Sequence, residues 1–330
     1  MRPKPRQLLA KAKVPVLLVT DLTDVRYLTG VSVSSGTLLV TPTAYVFLVD
    51  SRYGELASAK AYKDVTVKNA SALPELLKKI PRCGYMEEHL TVARLRRLQS
   101  QFKNTKFVHI ADAVGEFRRS KDEVEVRLIN RAHRITRELL RRIPAALRVG
   151  IREDELAWKI EQWAHELGAE AMAFDSIVAF GSNTSRPHHQ PGNRKLKKGD
   201  IVQIDIGAKY RGYCSDRSQV YLTGPVSAHI TKAIKAVTKA KNAAKKAVKK
   251  GASTQLLDRI ARDVLKKYGM EGAFTHALGH GVGLDIHEGV ILSERAADQK
   301  LLKHEVITIE PGVYFPGKFG IRLEDMVIVE

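Results

Sequence analysis

The sequence is poor in cysteine, with only Cys83 and Cys214 among its 330 residues. Two are too few for a disulfide framework, and they fall in segments that read as different domains, so a reducing cytoplasm is the simplest compartment. No apolar window approaches the roughly 20 residues that a membrane helix requires. The basic start MRPKPRQLLAKAK leads into VPVLLV, which Thr20 and Asp21 cut off without a small-residue cleavage site, and this argues against a signal peptide. Beyond a lysine-rich helical stretch, short repeats and low-complexity segments are missing as well. Acids are in deficit: 55 Lys+Arg stand against 36 Asp+Glu, a formal charge of +19. Such an excess prompts a nucleic-acid or membrane-surface reading. Its densest part, residues 228–250, carries eight lysines and no acid over an apolar stripe at Ile230, Ile234, Val237, Ala240, Ala244 and Val248. That pattern describes a core-packed helix with a solvated basic face. No aromatic interleaving accompanies it, which argues against nucleic acid as a partner.

What is there begins with length enough for two domains. Runs at 14–20, 37–40 and 45–49 read as strands, with Thr41-Pro42 turning the last two into a hairpin. Helical and strand segments then alternate to about residue 110, giving a mixed α/β domain with no cluster of catalytic groups. Residues 111–121 read as the boundary, dividing the chain into 1–116 and 117–330. A long helix is expected from Asp122 to about Arg142, stopped by Pro144, and a second from Arg152 to Leu167, closed by Gly168. A strand at 176–180 and the loop GSNTSRPHHQPG follow. Two more helices are expected at 227–250 and 253–268. The helix, helix, hairpin order of 122–222 is loosely repeated in 227–330.

Two hairpins carry the chemistry. Residues 200–206 alternate apolar and polar toward Asp205, and 213–222 return with Asp216. A turn centred on Tyr210-Arg211 puts the two aspartates directly opposite each other, with Cβ atoms roughly 4.5–5.5 Å apart. The last segment, EVITIEPGVYFPGKFGIRLEDMVIVE, repeats the construction: a loop centred on Gly317 makes Glu310 and Glu324 cross-strand partners. Like charges so placed repel, and two divalent ions would cancel four acids. Isoleucines beside Asp205 and Glu310 sharpen the point, because an acid in an apolar run is costly to bury unpaired. His276, His280 and His287 lie in the glycine-punctuated segment THALGHGVGLDIHE, which favours one ligand and one or two acid-base or orienting groups. His188 and His189 add candidates from another loop.

These residues resemble a family. Asp205, Asp216, His280, Glu310 and Glu324 stand where the pita-bread-fold metallopeptidases, among them aminopeptidase P, prolidase and methionine aminopeptidase, carry dinuclear metal ligands. Nearly the whole chain resembles the Xaa-Pro peptidase branch, through Asp24-Val25-Arg26-Tyr27-Leu28-Thr29-Gly30, Asp50-Ser51-Arg52-Tyr53, Pro187-His188, Gly212-Tyr213-Cys214-Ser215-Asp216, Gly279-His280-Gly281-Val282-Gly283 and Arg322-Leu323-Glu324-Asp325. The resemblance implies an α/β (α+β) fold: a creatinase-like N-terminal domain, then a duplicated α/β pita-bread catalytic domain. It also implies that Asp216 and Glu324 bridge two ions, Asp205 binds one, and His280 with Glu310 completes the other. Mn²⁺ or Co²⁺ suits that donor set best, with Zn²⁺ and Fe²⁺ as alternatives. A bridging hydroxide is the implied nucleophile and Glu310 the proton acceptor. His287 then stabilises the tetrahedral intermediate, His188 and His276 contact substrate, and Arg322 holds a buried carboxylate. The implied partners are small proline-containing peptides and a second copy in a homodimer. Aminopeptidase and dipeptidase remain alternatives, and a metal-free creatinase-like hydrolase is disfavoured by the intact ligand set. Departures from the pattern lie in Arg217-Ser218-Gln219 after the second aspartate, in Gly289-Val290 where a proline is usual, and in the end at Glu330.

Overall fold

The computed structural model describes residues 2–330, which divide into two compact units meeting between Arg118 and Arg119. The first unit is built on strands β1 (Leu17–Val19), β2 (Thr37–Val40), β3 (Tyr45–Val49), β4 (Val65–Asn69), β5 (Arg82–Met86) and β6 (Lys106–Ile110). They form one mixed sheet in the order β4-β3-β2-β1-β5-β6, antiparallel across β1–β3 and parallel toward both edges. Its three most apolar strands, β1 to β3, are buried at every position, as a sheet covered on both faces requires. Helix α1 (Pro5–Ala12) precedes the strands, α2 (Leu22–Thr29), α3 (Ser51–Lys60), α4 (Leu73–Leu77) and α5 (Val92–Gln101) connect them, and α6 (Ala113–Arg119) follows.

Two stretches that single out the Xaa-Pro branch prove to be helix ends. Asp21 caps α2 by accepting from the Asp24 N–H at 2.8 Å, and Gly30, at φ 82°, ends it. Asp50 caps α3 in the same way through the Arg52 N–H at 2.9 Å. Asp24 itself is buried against Arg118, at 2.8 Å. The first unit's polar motifs therefore shape its own fold.

The second unit carries α7 (Glu123–Ala146) and α8 (Glu153–Glu166), then α9 (Ala228–Ala247) and α10 (Thr254–Lys267). A reciprocal box between Asp122 and Glu125 starts α7. Pro144 does not stop α7 as expected. It occupies the last turn, where the lost N–H costs a single bond, and its carbonyl accepts from Leu147 N–H at 3.3 Å. Behind α7 and α8 lie β7 (Ala171–Met172), β8 (Ile177–Phe180), β9 (Ile201–Ile206), β10 (Ala208–Tyr210), β11 (Tyr213–Cys214) and β12 (Arg217–Leu222). Behind α9 and α10 lie β13 (Gly279–His280), β14 (Ile291–Leu292), β15 (Val306–Ile309), β16 (Gly312–Phe315), β17 (Phe319–Arg322) and β18 (Asp325–Ile328).

Each helix pair packs its apolar stripe on its own strands. Ile135, Leu139, Leu156 and Ile160 meet Val178, Val202 and Ile204 in one core. Ala236, Val237, Ala240, Leu257 and Leu265 meet Ile307, Ile309 and Ile321 in the other. The lysine-rich helix thus buries the stripe that its spacing predicts. Both cysteines are free and buried. Among the described residues no helix is long and apolar enough to cross a membrane.

Candidate metal centre

The first hairpin turns one residue later than its composition suggests. Arg211 at φ 46° and Gly212 at φ 82° form its centre, and positive φ at both positions is the type I′ pattern that fits strand twist. Centring the turn on Tyr210-Arg211 would have placed the left-handed burden on a tyrosine and left the glycine outside. As a consequence Asp205 pairs with Ser218 and not with Asp216. The offset is two residues, so side-chain parity is kept and the two aspartates share a face as diagonal neighbours. Gly207 permits the crossing, since a Cβ there would lie 1.9 Å from the Ser215 carbonyl oxygen.

The second hairpin keeps the expected register. Ile309 pairs with Asp325 and Gly312 with Arg322, which leaves Glu310 and Glu324 across from each other between β15–β18 and β16–β17. Gly317 takes the positive φ, at 71°, of the connecting turn.

The four acids converge on one cavity of about 700 Å³, lined by Asp205, Asp216, His280, Glu310 and Arg322 together with His188, His276 and His287. Glu324, 1 % exposed, lies behind that lining. His280 Nε2 stands 3.3 Å from Glu310 Oε1 and 3.6 Å from Asp216 Oδ2. Ligand atoms of Asp216, His280 and Glu324 all lie within 4.8 Å of one another. Burial, and then the charges of Glu324, Asp205 and Glu310, pushes the Asp216 carboxyl well above its ordinary range. Glu324 is pushed up by burial and by Glu310 and Asp205. Burial alone would raise Glu310 and lower His280, but their mutual hydrogen bond and charge outweigh it, lowering the acid and raising the imidazole.

Does this set fit metal ions? Asp205 Oδ1, Asp216 Oδ1 and Glu324 Oε1 are buried and accept no hydrogen bond from the described residues. Buried carboxylate oxygens are costly in that state. His280 directs Nδ1 to the Gly281 carbonyl oxygen at 3.1 Å, which leaves Nε2 facing the acids. Oxygen donors with an available lone pair, around one oriented imidazole nitrogen, suit divalent metal ions.

The supports are less legible in the sequence. Arg322 donates to Asp205 Oδ2, to Tyr314 Oη at 2.8 Å, to the Pro187 carbonyl at 3.1 Å and to Ser218 Oγ at 3.0 Å. Ser218 Oγ in turn donates to Glu324 Oε2 at 3.0 Å. One guanidinium and one hydroxyl thus orient an acid from each hairpin. On the other side, Thr308 Oγ1 accepts from the His280 N–H at 3.0 Å and donates to Glu310 Oε1 at 3.2 Å. Tyr314 accepts from Arg322, so its own proton goes to His276 Nε2 at 3.0 Å, and His276 Nδ1 donates to the Ala277 carbonyl at 2.8 Å. Both ring nitrogens of His276 are therefore engaged. His287 stacks edge-on against His280, with centroids 4.1 Å apart. His189 is tied at 2.8 Å to the fully buried Glu153, which anchors the loop that carries His188.

A creatinase-like α/β unit followed by a duplicated α/β unit with a carboxylate and histidine centre defines the class of pita-bread metallopeptidases. The comparison with known proteins agrees. Residues 127–330 match metallopeptidase family M24, and residues 2–120 match the creatinase/prolidase N-terminal domain; the chain belongs to family M24. It is 32 % identical to an Xaa-Pro dipeptidase of Pyrococcus furiosus over 93 % of this chain and 88 % of that one. Among solved structures it superposes on an X-Pro aminopeptidase from Thermotoga maritima with TM-score 0.90 and 32 % identity, covering 98 % of this chain and 95 % of the other. A prolidase from Pyrococcus horikoshii gives TM-score 0.93 at 29 % identity, with 98 % and 94 % covered.

Proposed function

We propose that the chain is an Xaa-Pro aminopeptidase, an exopeptidase that hydrolyses the bond before proline at peptide N-termini with two divalent ions held by Asp205, Asp216, His280, Glu310 and Glu324. The observation that carries the metal centre is the set of three buried carboxylate oxygens without a hydrogen-bond partner among the described residues, one each on Asp205, Asp216 and Glu324. Asp216 and Glu324 would hold both ions, with Asp205 adding to one and His280 with Glu310 to the other. The oxygen-rich donor set favours Mn²⁺ or Co²⁺ over Zn²⁺ or Fe²⁺. Such ions supply Lewis-acid polarisation of the scissile carbonyl and cancel the charge of the four acids.

The protein's own groups do the rest. Glu310, held ionised beside His280, accepts the proton of the attacking water. His287, at the cavity lining, hydrogen-bonds the carbonyl oxygen as charge develops there. Arg322 fixes Asp205, and through Ser218 it fixes Glu324. A proline nitrogen offers no N–H and its ring fixes φ, so recognition must come from an apolar wall. Phe174, Ile177, Pro187 and Ile286 supply one beside the acids. The homodimeric state and the cytoplasmic compartment rest on the family resemblance and on two free, buried cysteines.

The dipeptidase reading draws support from the curated relative and the prolidase structure. The test compares an Xaa-Pro dipeptide, an Xaa-Pro-Pro tripeptide and a Met-Ala peptide, with metal content measured on the same sample. Cleavage of the tripeptide supports the aminopeptidase, cleavage of the dipeptide alone supports the dipeptidase, and cleavage of Met-Ala alone overturns both. No bound transition metal, and no activation by Mn²⁺ or Co²⁺, sinks the metallopeptidase mechanism.

A further inference from the structure

The geometry points to Lys121 and Glu288 as a buried positioning pair that sets His287 against His280; its consequence for turnover rests on the reading above. Lys121 Nζ lies 2.8 Å from Glu288 Oε1, with side chains only 2 % and 7 % exposed. A lysine and a glutamate withdrawn from water recover their desolvation cost only when held in good geometry. Such a pair contributes little to stability and much to where its backbone lies.

Both ends are fixed. The segment of Lys121 is strapped to the loop before β15. Arg119 donates to Glu305 Oε1 at 2.6 Å and to Gln299 Oε1 at 2.9 Å, Ser120 Oγ donates to the Lys303 carbonyl at 2.7 Å, and Lys121 N–H donates to the His304 carbonyl at 3.1 Å. The ammonium is thereby a fixed post. Glu288 folds back over the glycine-punctuated segment. Its N–H donates to the Gly281 carbonyl at 3.0 Å, and its Oε2 accepts from the Asp285 N–H at 3.2 Å. A Cβ at Gly281 would stand 2.1 Å from the Glu288 carbonyl oxygen, and one at Gly283 would stand 2.1 Å from Glu288 Oε1. Two of the three glycines around His280 are therefore the space into which Glu288 fits. His287 is the residue before it, and His280 directly precedes Gly281. The clasp thus sets His287 against the His280 ring, with centroids 4.1 Å apart.

The test uses Mn²⁺-loaded full-length protein as wild type, Lys121→Met, Lys121→Arg and Glu288→Gln. Readouts are kcat and KM on the Xaa-Pro-Pro tripeptide, Mn²⁺ affinity by calorimetry, and amide hydrogen exchange across 284–290. Lys121→Met is expected to lower kcat by about 10–100-fold, as a small misplacement of a catalytic group does, with KM and Mn²⁺ affinity unchanged. Exchange rises in 284–290 and nowhere else, and Lys121→Arg recovers part of kcat. Glu288→Gln, which keeps shape and an acceptor, moves kcat in the same direction and carries the test if Lys121→Met does not fold. Wild-type kcat with unchanged exchange overturns the pair, as does a loss that follows Mn²⁺ affinity or protein-wide exchange. Failure of the wild type to cleave any Xaa-Pro peptide overturns only the substrate reading, and the exchange pattern then decides the clasp alone.

Discussion

The two acid-bearing hairpins reach one cavity by different strand relations. In the second, Glu310 and Glu324 face each other across the register. In the first, a type I′ turn at Arg211-Gly212 slides Asp216 two residues past Asp205, and Ser218 takes the facing position. That slide puts a hydroxyl where the second hairpin has a carboxylate, and the hydroxyl reaches over to Glu324. The first hairpin thereby orients an acid of the second, while Thr308 orients Glu310 from within the second. Charge is matched between the halves; support is not.

The sharpest way to break this comparison is Asp216→Asn, expected to reduce turnover to below about a thousandth of wild type and to lower metal content per chain, since a direct ligand exceeds the effect of an outer partner. Kinetics with elemental analysis checks it, and near-normal turnover would remove Asp216 from the centre. Next in size is Ser218→Ala, expected to weaken metal affinity or activity by about 10–100-fold, the usual range for a group orienting a ligand. Thr308→Val should act on the His280–Glu310 side alone. Calorimetric titration of both variants with Mn²⁺ tests the asymmetry, which identical binding changes in the two variants would erase.

A smaller effect separates charge from function. In metal-free protein at neutral pH, four acids repel with one guanidinium among them, so metal-free Asp216→Asn should melt a few degrees above metal-free wild type. Mn²⁺ should reverse that order, and calorimetric melts with and without chelator show whether it does. The smallest expected effect is at the turn. Gly212→Ala should cost about 1 kcal/mol because it puts a Cβ at φ 82°. Chemical denaturation measures it, and no loss would argue against the left-handed turn.

Much of this was legible in the sequence, for identifiable reasons. Acids inside apolar strands, at Asp205 and Glu310, announce a cost that needs a cation, and the stripe of α9 announces its core face. Register near Gly317 was readable because one glycine marks that loop's centre. The composition of Lys209-Tyr210-Arg211-Gly212 points to its middle pair instead, although only the glycine takes φ > 0 without cost. Pro144 was misread as a stop because a proline in a helix's last turn loses so little. The supports stayed hidden, since Tyr314 in an apolar strand reads as core and Thr308 as ordinary strand composition. Ser218 was visible as a hydroxyl near a ligand, but its reach to Arg322 depends on long-range folding. The clasp of Lys121 and Glu288 joins residues 167 positions apart, beyond any local pattern.

Cys214, two residues before Asp216, is 1 % exposed, and burial pushes its thiol up to about 12. Cys83 is equally withdrawn, at 0 % exposed, and also pushed up to about 12. Neither sulfur offers a thiolate to alkylating agents or peroxides at neutral pH. Purification and assay can therefore omit dithiothreitol and similar thiols, which chelate divalent ions, and a cysteine introduced at the cavity mouth would be the one reactive label on the folded chain.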